Sequence, residues 1–145
     1  MRHGIVRKVL RVAVGIGVLG IFIGLGCQST APATTELPAD AAATLNTRLR
    51  LARVSTTGSA LTANFEAPGG SVNAEIGGTC KNGKTYSVST GTSGGGCSTV
   101  WTKRGENGPY ELDSINCEDG NSGAKMSCDR GCTATNGSGR CDPVR

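Results

Sequence analysis

Two hydrophobic patterns divide this chain. Residues 12–26 form an apolar run without a charge, preceded by Arg2, Arg7, Lys8 and Arg11. Further along, apolar residues instead return at every second position, the period of a strand with one face buried. Leu61, Ala63, Phe65 and Ala67 alternate with polar neighbours, Pro68-Gly69-Gly70 turns the chain, and Val72, Ala74 and Ile76 alternate again. This predicts a hairpin about residues 68–70. Asn82-Gly83 suits the positive φ angles of a type I′ turn and predicts a second hairpin, joining 76–80 to 84–90. Residues 91–96, with Gly94-Gly95-Gly96, read as a flexible loop. Strands are expected at 97–103 and 110–117 around a turn at 105–109, and 118–123 turns into a further strand at 124–128. Between 45 and 54, Leu45, Leu49 and Ala52 suit a helix face, whereas Leu49 and Leu51 set among Arg48, Arg50 and Arg53 suit an edge strand; the strand is preferred. The expected fold class is all-β: a small antiparallel domain of short strands and glycine-rich turns.

The opening run has a different meaning. A basic start followed by an apolar stretch is the layout of a secretory signal. As a helix, 12–26 would reach roughly 22 Å at about 1.5 Å per residue, short of a hydrocarbon core of about 30 Å. Gly15, Gly17, Gly20, Gly24 and Gly26 weaken it further as a permanent helix. The run ends Ile23-Gly24-Leu25-Gly26-Cys27, which resembles the lipobox of bacterial lipoproteins, with Gly24 at the place usually held by leucine. The resemblance covers residues 1–28. It implies cleavage before Cys27, a covalent lipid on that cysteine as the only attached group, anchorage in a membrane, and, with Gln28 rather than aspartate following, sorting to the outer membrane. Acyl chains partition at about 0.8 kcal/mol per buried methylene, so more than one holds stably. The alternative is an ordinary signal and a secreted chain. The expected organisation is a signal at 1–26, an Ala/Thr/Pro-rich tether at 27–44 and a single cysteine-rich β domain at 45–145.

Removing the signal changes the charge. The whole chain carries +4 from fifteen basic and eleven acidic residues, but four of the basic ones lie in the signal, which leaves formal neutrality. No uncompensated basic patch remains to argue for nucleic acid. Aromatics after the signal are four, Phe65, Tyr86, Trp101 and Tyr110, so apolar burial alone gives a modest core. Cys80, Cys97, Cys117, Cys128, Cys132 and Cys141 form an even set in an exported chain and predict three disulfides, each contributing about 2–4 kcal/mol. If Asn136-Gly137 is a two-residue hairpin loop, Cys132 faces Cys141 at a non-hydrogen-bonded position with Cα atoms about 4.5 Å apart, so this pair is predicted. The other four cysteines allow three pairings, among which spacing does not choose.

Candidate chemistry is thin. His3, the lone histidine, lies in the signal, which removes imidazole from the mature chain and with it most hydrolase templates and mixed Cys/His metal sites. Gly94-Gly95-Gly96 lacks phosphate-loop spacing, and Glu118, Asp119 and Asp129 lack the ligand spacing of a calcium loop. Lys125 and Ser127 share a strand face by spacing alone. Trp101 and Tyr110, on the two strands expected to pair around 105–109, are candidate ligand contacts because aromatics near a loop serve as binding anchors, but with so few aromatics in the chain a place in the core is the preferred reading. The function expected is a non-enzymatic binding or structural module of the cell envelope, meeting the membrane through its lipid and an envelope protein or glycan through its domain. The alternatives are a small hydrolase using Glu111 and Asp113, and an inhibitor or toxin-like domain inserting the 91–96 loop into a target.

Overall fold

The computed structural model describes residues 36–70 and 72–145; the export segment and Cys27 lie outside these. A short helix, α1 (Ala39–Ala43), precedes ten strands: β1 (Leu45–Thr47), β2 (Arg50–Thr57), β3 (Ala60–Glu66), β4 (Asn73–Thr79), β5 (Thr85–Ser93), β6 (Gly96–Lys103), β7 (Tyr110–Glu118), β8 (Gly123–Ser127), β9 (Gly131–Asn136) and β10 (Arg140–Val144). They build two antiparallel sheets, one ordered β1-β4-β5-β10 and the other β2-β3-β6-β7-β8-β9. The fold is therefore all-β, a sandwich whose inner faces carry the alternating apolar residues. Ile76 and Val88 from the first sheet meet Leu61, Trp101, Ile115 and Met126 from the second, all buried. Gly78 lies on the inner face, where an added Cβ would sit 2.7 Å from Leu112 Cδ2 and 2.9 Å from Ile115 Cδ1. Its missing side chain lets the sheets approach.

Period two locates the strands, yet neighbours in sequence are often not neighbours in a sheet. Residues 68–70 do not close a hairpin: β3 pairs with β2 and β6, whereas β4 pairs with β1 and β5. Instead a 3-10 turn at Pro68–Gly70, with Gly69 at φ 71° and Gly70 at φ 65°, carries the chain from one sheet to the other. Positive φ is available to glycine without steric cost, and the chain leaves the sheet here rather than folding back. The predicted 91–96 loop is mostly strand: β5 continues to Ser93, β6 begins at Gly96, and the chain again changes sheets between them. The Asn82-Gly83 turn does join β4 to β5. It is a three-residue loop, with Gly83 N–H donating to Cys80 O at 2.9 Å and Cys80 N–H to Lys84 O at 2.9 Å. Gly83 at φ 80° forms the bulge of such loops, in place of a type I′ turn.

Residues 45–54 split between the two sheets. β1 and β2 are edge strands of opposite sheets, and Leu49 between them is buried at the corner. The tether boundary at 44 also moves. Leu37 packs on the core, Ala41 is fully buried, and the Asp40 carboxylate accepts the Tyr110 backbone N–H at 2.6 Å. Composition reads this stretch as linker because five helical residues are too few for a periodic signal; tertiary contacts hold them.

Three disulfides close the domain: Cys80–Cys128, Cys97–Cys117 and Cys132–Cys141. Cys97 and Cys117 are register partners on β6 and β7, with Cα atoms 4.0 Å apart. The other two bridge the sheets. Cys132 and Cys141 are joined, but not as a ladder pair of one hairpin. β9 pairs with β8 and β10 with β5, so this bridge crosses between sheet edges with a Cα separation of 5.4 Å.

Candidate functional site

The outer face of the four-stranded sheet carries the polar half of each alternation. Register places Thr79 opposite Thr85 and Thr85 opposite Val144, while Asn46, Gly77, Ser87 and Asp142 form the next row. A groove of about 850 Å³ lies over this face, within the range that takes small ligands. Its walls come from distant parts of the chain: Thr44, Arg48 and Leu49 from around β1, Pro68 and Val72 from the crossover, and Val144 from the last strand. The Ser87 hydroxyl donates to Glu75 Oε1 at 2.7 Å, and Thr79 and Thr85 hydroxyls share a hydrogen bond of 2.9 Å. Arg48 has no ion-pair partner among the described residues.

Two features distinguish this face from an ordinary solvated one. Gly77 leaves the groove floor bare, although nothing in the packing requires glycine there: the nearest atom to an added Cβ would be Asn46 O at 3.6 Å, an ordinary contact. The large hydrophobic side chains exposed among the described residues are Val72, at 45%, and Val144, at 51%, and both line this one groove.

The residues singled out in the sequence lie elsewhere. Trp101 is fully buried, its indole N–H donating to Thr44 Oγ1 at 3.2 Å, so it is core and not a ligand contact. Tyr110 is half-buried against the core, with Lys103 Nζ 5.7 Å from its ring centroid; it is absent from the groove. Glu111 pairs with Arg104. Asp113 is displaced from the alternation by a bulge, since Val100 pairs with Ser114 but Trp101 with Leu112. With Asp129 these carboxylates border only a dent of about 30 Å³, the room of roughly one water. Asp119 is occupied in its turn, Oδ1 accepting the N–H of Asn121 at 2.9 Å and of Ser122 at 2.7 Å. Arg48, Arg50 and Arg53 separate: Arg50 reaches Glu66 at 3.3 Å on the other sheet, and Arg53 stands exposed opposite Asn64.

The 91–96 segment does not protrude. Gly91 at φ 74° packs on Ser138, and Gly95 at φ 74° lies against Glu118 and Asp119. Gly94 N–H donates to Val72 O at 2.9 Å. No group of three or more His, Cys, Asp or Glu among the described residues is disposed to hold a metal ion. No family model, curated protein or solved structure matches this chain. The groove is not legible in the sequence, because its walls span residues 43 to 144 and its lining has the pattern of polar strand positions. The available signal was Gly77-Gly78 inside a strand, since strand glycines mark close approach or open space.

Proposed function

We propose that this chain is exported, anchored by a lipid at Cys27, and serves the cell envelope as a non-enzymatic binding module whose ligand lies on the outer face of the four-stranded sheet. The observation that carries the binding part is the open floor at Gly77 between the exposed Val72 and Val144. Three disulfides suit an oxidising compartment, and the lipobox-like residues before Cys27 support the anchor. The hydrolase reading gains no support from a dent of about 30 Å³ beside Glu111 and Asp113. The inhibitor reading gains none from a 91–96 segment packed against its neighbours.

Two measurements test the halves separately. Cys27→Ser is expected to move the chain from the membrane to the soluble fraction; unchanged fractionation rejects the anchor. Capture of envelope components by the full chain is expected to be lost in Gly77→Leu, which fills the groove at a site whose backbone accepts a side chain. Equal capture by both rejects the groove.

A further inference from the structure

The groove has a length, a polarity pattern and one side chain of each charge, Arg48 and Glu75, and together these describe a ligand. Val72 precedes the first residue of β4, while Val144 pairs with Thr85, the partner of the last residue of that strand. Val72 to Thr79 is seven residues of chain, about 23 Å at roughly 3.3 Å per residue, and Val144 lies two strands across from Thr79, about 10 Å at roughly 4.8 Å per strand, so the two exposed aliphatic side chains stand about 25 Å apart. Between them the groove offers Asn46, Asn73, Thr79, Thr85 and Ser87, groups that both donate and accept hydrogen bonds, and the Glu75 carboxylate, which accepts from the Ser87 hydroxyl. Arg48 stands at the Val72 end, beyond the register pair Thr47 and Ile76, with no carboxylate partner among the described residues.

We infer that the groove takes an extended peptide, with an aliphatic side chain over each of Val72 and Val144, polar residues between, and a carboxylate meeting Arg48 near the Val72 end. This rests on the groove-binding reading above. A polypeptide in extended form covers about 25 Å in roughly seven or eight residues, its amide groups need both donors and acceptors, and its side chains supply aliphatic contacts at fixed intervals. A saccharide fits less well, because sugar faces stack on aromatic rings and none of the lining residues is aromatic. An acyl chain fits less well still, because the floor between the two valines is hydroxyl, carboxamide and the Glu75 carboxylate. The absence of a raised rim at Gly77 lets the peptide backbone lie close to the sheet.

The test pans a phage-displayed library of random dodecapeptides on the immobilised full chain, with an N-acetylglucosamine oligomer as the competing probe. Enriched peptides are expected to carry two aliphatic residues roughly seven or eight positions apart and an acidic residue nearer one of them. Binding is expected to fall at least tenfold in Gly77→Leu and in Val144→Glu, an exposed position where misfolding is no concern. Arg48→Glu is expected to exchange the acidic preference for a basic one, a change of specificity that unfolding cannot produce. No enrichment, peptides that bind Gly77→Leu within threefold of the unaltered chain, or displacement by the oligosaccharide each overturns the peptide assignment. If peptides fail while Gly77→Leu still abolishes capture from the envelope, the groove remains a binding site and only its ligand class falls. If that capture is also unaffected, both readings fall.

Discussion

Thr44→Val is the sharpest test of where the folded domain begins. Thr44 Oγ1 accepts the Trp101 indole N–H at 3.2 Å and donates to Ala41 O at 2.8 Å, and Ala41 O keeps a second donor in the Thr44 backbone N–H at 3.2 Å. Valine matches threonine in shape, so the change opens no cavity; it removes the acceptor from an indole whose residue is fully buried. Leaving a buried donor unsatisfied costs about 1–3 kcal/mol. For a domain of this size that lowers Tm by about 4 °C per kcal/mol, so a fall of roughly 8 °C is expected at the middle of the range. Unfolding is followed by the emission of Trp101, the one tryptophan in the chain. Trp101→Phe removes the donor, and the double variant, followed by circular dichroism, should cost about 1–2 kcal/mol less than the sum of the singles. A Thr44→Val cost below about 0.5 kcal/mol, with no coupling, would refute the reasoning and return residues 37–44 to the tether.

The disulfides should rank by the loops they close. Sequence separations of 48, 20 and 9 correspond to about 4.1, 3.3 and 2.6 kcal/mol of loop entropy, and alanine at the buried Cys97 and Cys117 adds a cavity cost. The Cys132/Cys141 double alanine variant is thus expected to be the mildest in urea midpoint, and finding it as damaging as either other pair contradicts the ranking. Gly83→Ala and Gly91→Ala share a positive φ, at 80° and 74°, but only at Gly91 would the new Cβ collide with the backbone of Ser138. Denaturation should show a loss of about 1 kcal/mol at residue 83 from backbone strain alone and a larger one at residue 91; equal losses would mean the Gly91–Ser138 contact is not held in solution. Arg50→Ala, which removes an ion pair exposed at 74% and 59%, should change stability by less than about 0.5 kcal/mol, and a larger loss would make that pair a structural tie.

What the residues disclosed and what they withheld follow one physical division. Leu61, Ala63 and Phe65, or Ala74 and Ile76, announce strands because burial of one face imposes period two on the chain itself. Pairing is a property of two segments, and no residue within Pro68-Gly69-Gly70 or Asn136-Gly137 states whether the next strand returns beside its predecessor or crosses to the opposite sheet. Both turns have the residues of a hairpin, and both are crossovers. The Cys132–Cys141 pairing is the same in either geometry, because a hairpin and a crossover of similar length bring the same two cysteines near each other. Trp101 and Tyr110 were ambiguous for a related reason: with few aromatics, a core anchor and a surface anchor look alike until neighbours such as Thr44 and Asp40 are placed. The groove was the least legible part, being defined by a side chain that is missing at Gly77 and by walls far apart in sequence.

The placement of the cross-links sets how the domain would respond to tension. The first cysteine among them is Cys80, so α1 and β1 through β4 are held by noncovalent contacts alone, whereas beyond it the Cys97–Cys117 ring lies inside the Cys80–Cys128 ring and Cys132–Cys141 closes a separate one. A pull from the N-terminal side frees α1 and its Asp40–Tyr110 bond first, then reaches β1, a strand of three residues paired along one edge, and detaches it rung by rung. Residues 36–79 drawn straight would add about 150 Å of slack at roughly 3.4 Å each. The cross-linked remainder then stops the extension like a knot at the end of a cord. Because Thr44, Asn46 and Arg48 belong to the part that peels, stretching dismantles one wall of the groove before any stitched strand moves.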